Sequence, residues 1–107
     1  MGATLRFTLS LLSLYGLSSA LYADNLLITQ KNKSFSTASL KAKVGDTVEF
    51  KNEDTVYHNI YSLSDTQTFD LGSFGPAEQR KVKLDKPGKV EVECAVHKDM
   101  KMTIEVK

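Results

Sequence analysis

A chain of 107 residues has room for one domain of ordinary size and little more. Its 14 basic and 13 acidic side chains nearly cancel, which leaves a formal net charge of +1. This balance argues against nucleic acid as a partner, because binding to phosphates requires a concentrated positive surface.

The first 23 residues have the layout of a secretory signal peptide. Arg6 supplies a positive start, an apolar run extends from Leu9 to Leu21, and small residues lie at its end. The run is shorter than the roughly 20 residues that a helix needs to cross a bilayer. We expect cleavage after Ala23, with Ala20 as a second candidate. The mature domain is then residues 24–107, without a membrane span; an uncleaved membrane anchor is the alternative.

The cysteine content is unusual for an exported domain. Oxidising compartments favour paired cysteines in small domains, yet this chain has a single one, Cys94. It cannot form an internal disulfide and indicates a reactive thiol, an intermolecular bridge or a metal ligand. A small buried apolar side chain is the alternative reading of the same residue.

Residues 24–107 predict an all-β domain, because apolar and polar side chains alternate in short runs bounded by turn residues. Predicted strands in chain order contain Leu26 and Ile28, Val48 and Phe50, His58 and Ile60, Phe69 and Leu71, Val82 and Leu84, Val90 to Cys94, and Met102 to Val106. Turn residues separate them at Gly45-Asp46, Gly72, Gly75-Pro76 and Pro87-Gly88. One apolar and one charged face per strand is typical of antiparallel sheets packed against each other. About seven such strands predict a β-sandwich.

The segment from Cys94 to Met100 carries the chemistry. Cys94 ends an inward-facing series, and His97 and Met100 follow at intervals of three residues in the loop before the last strand. A thiolate, an imidazole and a thioether are thus within reach of one point, and these soft ligands favour copper. Met102 competes with Met100 for the axial role. Met102 lies on the core-facing side of the last strand, so we expect it to pack in the core. We therefore favour Met100 as the axial ligand.

A blue-copper site needs a second histidine, and the chain contains one more, His58. It lies on the inward parity of an earlier strand, so it can approach the ligand loop from a neighbouring strand end. The candidate metal ligands are therefore His58, Cys94, His97 and Met100, holding one copper ion.

These residues resemble the cupredoxins. The resemblance runs through Gly45-Asp46-Thr47-Val48-Glu49-Phe50, Asn52, His58-Asn59 and the spacing of Cys94, His97 and Met100. The short ligand loop is similar to that of amicyanin rather than plastocyanin. Phe69-Asp70-Leu71-Gly72 is similar to small cupredoxin-like proteins associated with methylamine utilisation. The resemblance implies a Greek-key sandwich and, together with the signal peptide, a location in the bacterial periplasm. We expect a monomer.

The resemblance also implies roles for single residues. Asn59 follows the first histidine and is expected to tie the two ligand-bearing loops together. His97 is expected near the surface, as the path for the electron. The sequence departs from the family pattern at two positions. Lys98 stands where amicyanin-like loops carry proline, which predicts a more polar partner surface. Glu93 stands where an aromatic residue often precedes the cysteine, which argues against a second electron route there.

Two functions remain open. The first is a mobile carrier that shuttles single electrons, Cu(I)/Cu(II), between redox partner proteins. The second is a copper-handling protein that delivers or buffers the metal, or an accessory subunit of a larger redox system. An enzyme is not expected, because no catalytic signature is present and no histidines remain for a further copper. A plain adhesion-type sandwich is the non-metal alternative.

Overall fold

The computed structural model describes residues 22 to 107. The signal peptide predicted at residues 1 to 23 lies outside these residues, apart from its last two. All regular structure in the described part is β, and it comprises β1 (Asn25–Lys31), β2 (Ser34–Phe35), β3 (Ser39–Ala42), β4 (Thr47–Asn52), β5 (His58–Leu63), β6 (Thr68–Phe74), β7 (Gln79–Lys83), β8 (Gly88–Cys94) and β9 (Lys101–Val106). Within the same residues, no helix has the length and apolar character needed to cross a membrane.

The strands form two sheets that pack face to face. One sheet has the order β2-β1-β4-β7, and the other has the order β3-β9-β8-β5-β6. Most connections cross from one sheet to the other, so strands that follow each other in sequence mostly lie in different sheets, as in a Greek key. The predicted all-β sandwich is confirmed.

Strand number and strand direction differ from the sequence-based expectation. The described residues hold nine strands rather than about seven, because the short edge strands β2 and β3 lack a clear apolar alternation. The sheets are also mixed rather than antiparallel, since β1 runs parallel to β4 and β3 runs parallel to β9. The alternation of apolar and polar residues shows which face of a strand is buried. The pattern is the same whether the neighbouring strand runs parallel or antiparallel to it. Direction follows from connections that cross between the sheets.

In the described residues, the core lies between the two sheets and is built mostly from the inward-facing positions that alternation predicts. Phe74 and Met100 are buried in addition, whereas Phe69, Leu71 and Val82 of the predicted strands are only partly buried. Thirteen apolar side chains are buried there: Ile28, Val48, Phe50, Ile60, Phe74, Leu84, Val90, Val92, Cys94, Met100, Met102, Ile104 and Val106. Three buried polar side chains, Gln30, Asn52 and His58, lie at one end of the sandwich, where β1 and β4 finish and β5 begins. Polar groups in a core require partners, which marks this end as the candidate site.

A β-bulge shapes the strand beside that end. Asn59 pairs with Ser73, but Tyr61 pairs with Asp70, so β6 carries an extra residue between the two pairs. Gly72 lies in this interval with φ of 73°, a left-handed conformation that glycine adopts without strain. The strand therefore continues through Gly72, where the sequence predicted a break.

Candidate metal centre

Strand pairing brings the predicted ligands together from distant parts of the chain. Cys94 is the last residue of β8, and Ile60 of β5 is its pairing partner. His58 lies two residues before Ile60 on the same buried face of β5. The end of β8 and the start of β5 therefore place a thiol and an imidazole side by side at the end of the core.

Three donor atoms converge at this point. One donor atom each from His58, Cys94 and His97 lies within 4.8 Å of the others. Cys94 Sγ is 3.7 Å from His58 Nδ1 and 3.8 Å from His97 Nδ1. The two imidazole rings face the same space, with centroids 5.0 Å apart. Three of the four ligands predicted from the sequence thus share one site through defined atoms.

These separations fit a trigonal metal site. A metal–sulfur bond of about 2.3 Å and a metal–imidazole bond of about 2.0 Å separate their donor atoms by about 3.7 Å when the angle at the ion is near 120°. The observed sulfur–nitrogen distances of 3.7 and 3.8 Å match that value. Two histidines and one cysteine in such a plane are the donor set of a blue-copper site.

The ligand loop is closed by its own backbone. Met100 N donates to His97 O at 3.1 Å, and Cys94 N donates to Met100 O at 3.2 Å. These bonds hold Met100 beside Cys94, and the Met100 side chain is buried. Met102 is buried too, but it belongs to β9 and pairs with Val92 in the middle of the core. The position of Met100 in the loop supports it as the axial candidate over Met102.

Asn59 connects the two ligand-bearing segments through its backbone. Its N–H points at Cys94 Sγ from 3.5 Å, and its carbonyl accepts a hydrogen bond from Ala95 N at 2.9 Å. Its side-chain amide turns the other way; with the amide nitrogen assigned to the side that faces two acceptors, it donates to Asp70 Oδ1 at 2.9 Å and Gly72 O at 3.2 Å. The tie between the segments that the resemblance implied is therefore made by main-chain atoms, and the side chain anchors β5 to the bulge in β6.

Asp54 is a functional candidate that sequence reasoning missed. Its Oδ2 lies 3.1 Å from His58 Nε2, and the same oxygen accepts a hydrogen bond from Lys33 N at 2.8 Å. An N–H on Nε2 leaves the lone pair of His58 on Nδ1, the atom that faces Cys94. The sequence offered one indication of this contact, an acidic residue four positions before the candidate ligand His58.

Asn52 holds the loop that carries Asp54. Its side-chain NH₂ donates to Val56 O at 2.9 Å and to Phe74 O at 3.1 Å, while its Oδ1 accepts from Asp54 N at 2.8 Å. This buried amide explains why an asparagine stands at the end of β4. The carboxylate of Asp54 is thus oriented by the loop itself.

The protonation of His58 and Asp54 suits metal binding. Burial lowers the pKa of His58, and the nearby His97 lowers it further, while Asp54 acts in the opposite direction. The backbone N–H of Lys33 is the main cause of the lowered pKa of Asp54, to which the hydrogen bond with His58 adds. His58 therefore stays neutral at physiological pH, as a ligand nitrogen must.

The two histidines differ in exposure. His58 is fully buried, whereas His97 is half-buried in a loop whose neighbours Val96, Lys98 and Asp99 are exposed. Tyr57 is 60% exposed on the same end of the molecule. His97 is therefore the candidate ligand that a partner can approach, next to an apolar side chain and two charges of opposite sign.

Sequence comparisons match almost the whole described chain to known proteins. A family model described as copper binding proteins, plastocyanin/azurin family, matches residues 23–107. The methylamine utilization protein MauL of Methylorubrum extorquens is 32% identical over 96 residues, which cover 89% of this chain and 82% of that protein.

Solved structures share the fold. A purple cupredoxin from Nitrosopumilus maritimus superposes with a TM-score of 0.69 at 20% identity, over 77% of this chain and 99% of the other. A mutant amicyanin in its reduced state superposes with a TM-score of 0.72 at 19% identity, over 78% of this chain and 82% of the other. At these identities the superpositions establish a common architecture.

Proposed function

Because the chain belongs to the plastocyanin/azurin family of copper-binding proteins and has copper as its cofactor, we propose that it shuttles single electrons between redox partner proteins. The observation that carries the proposal is the cluster of His58, Cys94 and His97, whose donor atoms are spaced for one trigonal ion. Bound copper supplies a one-electron couple between Cu(I) and Cu(II).

We assign four residues to the metal. His58 and His97 would bind through Nδ1 and Cys94 through Sγ, which are the atoms that converge. Met100 would be the weaker fourth ligand that tunes the potential, since the closed loop holds it buried beside Cys94. The family model of copper binding proteins, which matches residues 23–107, supports a copper protein of this kind.

The surroundings of the donors favour electron transfer because they are held in place before any charge changes. Asp54 orients His58, and the Asn59 backbone approaches Cys94 Sγ from one side. The strands beneath them belong to a fully packed core. Donors fixed in this way reorganise little between two oxidation states, and outer contacts of this type hold metal ligands in their productive orientation.

Electron exchange takes place at His97 in this proposal. Its half-exposed ring connects the buried cluster with the surface, whereas His58 is closed off from solvent. Exposed Lys98 and Asp99 flank the approach, so the partner surface is more polar than a purely apolar patch. No catalytic step is assigned to the chain.

The leader predicted at residues 1–23 supports export to the bacterial periplasm, where the domain of residues 24–107 would work as a monomer. Size-exclusion chromatography of the exported protein tests both mass and oligomeric state. A dimer, or a protein that retains the leader, would contradict this part of the proposal.

A visible-absorption titration with Cu(II) tests the function. We expect a strong band that saturates at one copper per chain, bleaches with a mild reductant and returns with an oxidant. Cys94→Ser should abolish the band, whereas Met102→Leu, which also removes a buried sulfur nearby, should leave it intact. A band that survives Cys94→Ser would show that the assigned site is wrong.

The same preparation separates electron transfer from copper delivery. A carrier retains its metal against a chelator and cycles reversibly in voltammetry. A delivery or buffering protein releases copper to the chelator within minutes, and this result would replace the proposed function by the second one.

A further inference from the structure

A nearly buried carboxylate occupies the opposite end of the sandwich from the metal centre. Asp46 precedes β4 and is 2% exposed. Its Oδ2 accepts a hydrogen bond from Lys43 N at 3.0 Å, and its Oδ1 accepts one from Asp24 N at 2.8 Å. Lys43 Nζ lies 3.1 Å from Oδ1 and 2.9 Å from Asp24 Oδ2. The carboxylate therefore faces the start of the folded domain.

The backbone nitrogen of Asp24 is held in position by its neighbours. Thr47 N donates to Asp24 O at 2.9 Å, and the next residue, Asn25, already pairs with Thr47 in the sheet. On the other side, Leu84 N donates to Asp46 O at 2.8 Å. The contact between Asp24 N and Asp46 is therefore part of the closed end of the sandwich, which also anchors β1.

The predicted processing point coincides with this contact. Tyr22 and Ala23 are exposed and precede the first strand without regular structure. Cleavage after Ala23 would make the nitrogen of Asp24 the N-terminus of the mature chain. Cleavage after Ala20, the second candidate, would leave that nitrogen as an ordinary peptide N–H.

We propose that the Ala23–Asp24 bond is the processing site and that Asp46 is the built-in acceptor for the α-ammonium group created there. Hydrolysis adds one water across the peptide bond: Ala23 leaves with the leader as a carboxylate, and Asp24 keeps its nitrogen as an amine, which takes up a proton at neutral pH. A leader peptidase is the catalyst class required. Processing thereby converts a neutral hydrogen bond donor into a cation paired with a buried anion.

The pKa of Asp46 agrees with this role. Burial by itself raises that pKa, but hydrogen bonds from the N–H groups of Asp24 and Lys43, together with the Lys43 ammonium, outweigh burial and lower it. Charge-assisted hydrogen bonds are roughly twice as strong as neutral ones. An ammonium in place of the peptide N–H thus strengthens a contact that already exists.

Other charged groups surround this end without replacing the pair. A recess of about 260 Å³ beside it is lined by Asp24, Leu26, Lys41, Ala42, Lys43 and Asp46. Lys83 on β7 pairs with Thr47, Asp85 follows β7, and Lys107 O accepts a hydrogen bond from Val44 N. These residues carry charges of both signs, and the side-chain carboxylate of Asp24 already pairs with Lys43. Asp46 is the buried carboxylate whose oxygen contacts the Asp24 nitrogen, at 2.8 Å.

The pair has a defined pH window. In the proposed pair the carboxylate favours the charged α-ammonium, so this stabilisation is complete below the ordinary α-amino pKa of about 8 and is lost at higher pH as the amine gives up its proton. The contribution of Asp46 is complete above about pH 4 and is lost as the pH falls through its lowered folded-state pKa. Between these limits the mature terminus stabilises the domain.

The first experiment identifies the N-terminus. The full chain is exported from a bacterial host, and the mature protein is measured by intact mass spectrometry. We expect the mass of residues 24–107. A mature protein that begins at residue 21 would overturn the proposal.

The second experiment measures the ion pair. All core side chains lie between residues 28 and 106, so chains of residues 24–107 and 21–107 both contain the whole folding unit. In urea at about pH 7, the unfolding equilibrium constant of 24–107 should be about tenfold smaller, because a charge-assisted hydrogen bond replaces a neutral one. The difference should vanish at about pH 10.5, where the amine is neutral. Equal stabilities at pH 7, or a difference that persists at high pH, would overturn the proposal.

Asp46→Asn provides the matched control. In this background the two chains should have the same unfolding constant, and a difference that survives the substitution would overturn the assignment to Asp46. If the variant does not fold, the pH series on the unsubstituted chains still decides the question.

Discussion

Asp54→Asn isolates the effect of one charge on the copper site. In the structure Asp54 Oδ2 faces both His58 Nε2 and Lys33 N, while Asp54 Oδ1 accepts a hydrogen bond from Thr55 N. An asparagine oxygen can take the position of Oδ2 and keep the first two contacts. The exposed N–H of Thr55 then bonds to water. The substitution thus removes the negative charge with little change in the loop.

The structure indicates the size of the effect. The side chains of His58 and Asp54 are 0% and 10% exposed, so solvent screens their interaction weakly. A hydrogen bond to a charged group contributes about 1.5–3 kcal/mol against about 0.5–1.5 kcal/mol for a neutral one. The two kinds of hydrogen bond thus differ by about 1.4 kcal/mol, which corresponds to a tenfold change in metal affinity. This is the lower end of the roughly 10–100-fold loss found when residues that support a metal-bound histidine are replaced.

The loss should be larger for Cu(II) than for Cu(I), because the carboxylate stabilises the more positive ion more strongly. Asp54→Asn should therefore weaken Cu(II) binding about tenfold. It should also raise the reduction potential, by at most about 59 mV for each tenfold loss that Cu(I) does not share. Competition titrations measure the first quantity and voltammetry the second.

Asp65→Asn is the control for this experiment. It changes the net charge in the same way, but Asp65 lies in the loop after β5, at the other end of that strand from His58. The reduction potential of the Asp65→Asn variant should match that of the unsubstituted protein. If Asp54→Asn and Asp65→Asn give the same potential and the same Cu(II) affinity, the carboxylate does not act on His58 and the reasoning is refuted.

Three further predictions concern the axial ligand, the core and pH. Met100→Leu should keep copper but raise the reduction potential in voltammetry well above that of Met102→Leu; equal potentials would exclude Met100 as a ligand, since each swap nearly conserves volume. Phe50→Ala should cost about 3–5 kcal/mol in urea unfolding, because Phe50 is fully buried and packs edge-on against Phe35 at 6.2 Å; a loss below about 1 kcal/mol would contradict this packing. Asp46→Asn should lower the free energy of unfolding at neutral pH. Because the pKa of Asp46 is lowered in the folded state, this loss should shrink as the pH falls through that pKa. A loss that is constant down to about pH 2 would contradict the assignment.

Much of the fold was predictable because alternation is a local signal. The inward positions of β8 and β9, such as Val90, Val92 and Ile104, are buried as expected. Strand direction was not predictable in this way, and parallel pairing of β1 with β4 came only from the structure. The strand of Ser34–Phe35 has two residues, too few for any period to show.

The candidate site divides in a similar manner. The spacing of Cys94, His97 and Met100 in one short loop is a sequence property, and it predicted soft metal chemistry before any contact was known. The interaction of Asp54 with His58 was missed, because an aspartate in a polar loop usually faces water. Coordination by His58, Cys94, His97 and Met100 remains a prediction until the metal-bound protein is measured.

The residue types and the strand face of each follow from local sequence patterns: a β-sandwich, a thiol at the inner end of a strand, and two histidines and a methionine to accompany it. Which atoms meet follows from the three-dimensional packing. His58 and Cys94 are 36 residues apart, and their 3.7 Å separation depends on the register between β5 and β8. Register results from packing the whole core, because a slip of one residue would turn every inward side chain outward. Local patterns cannot encode such a distance, whereas a packed sandwich permits one register and therefore one site.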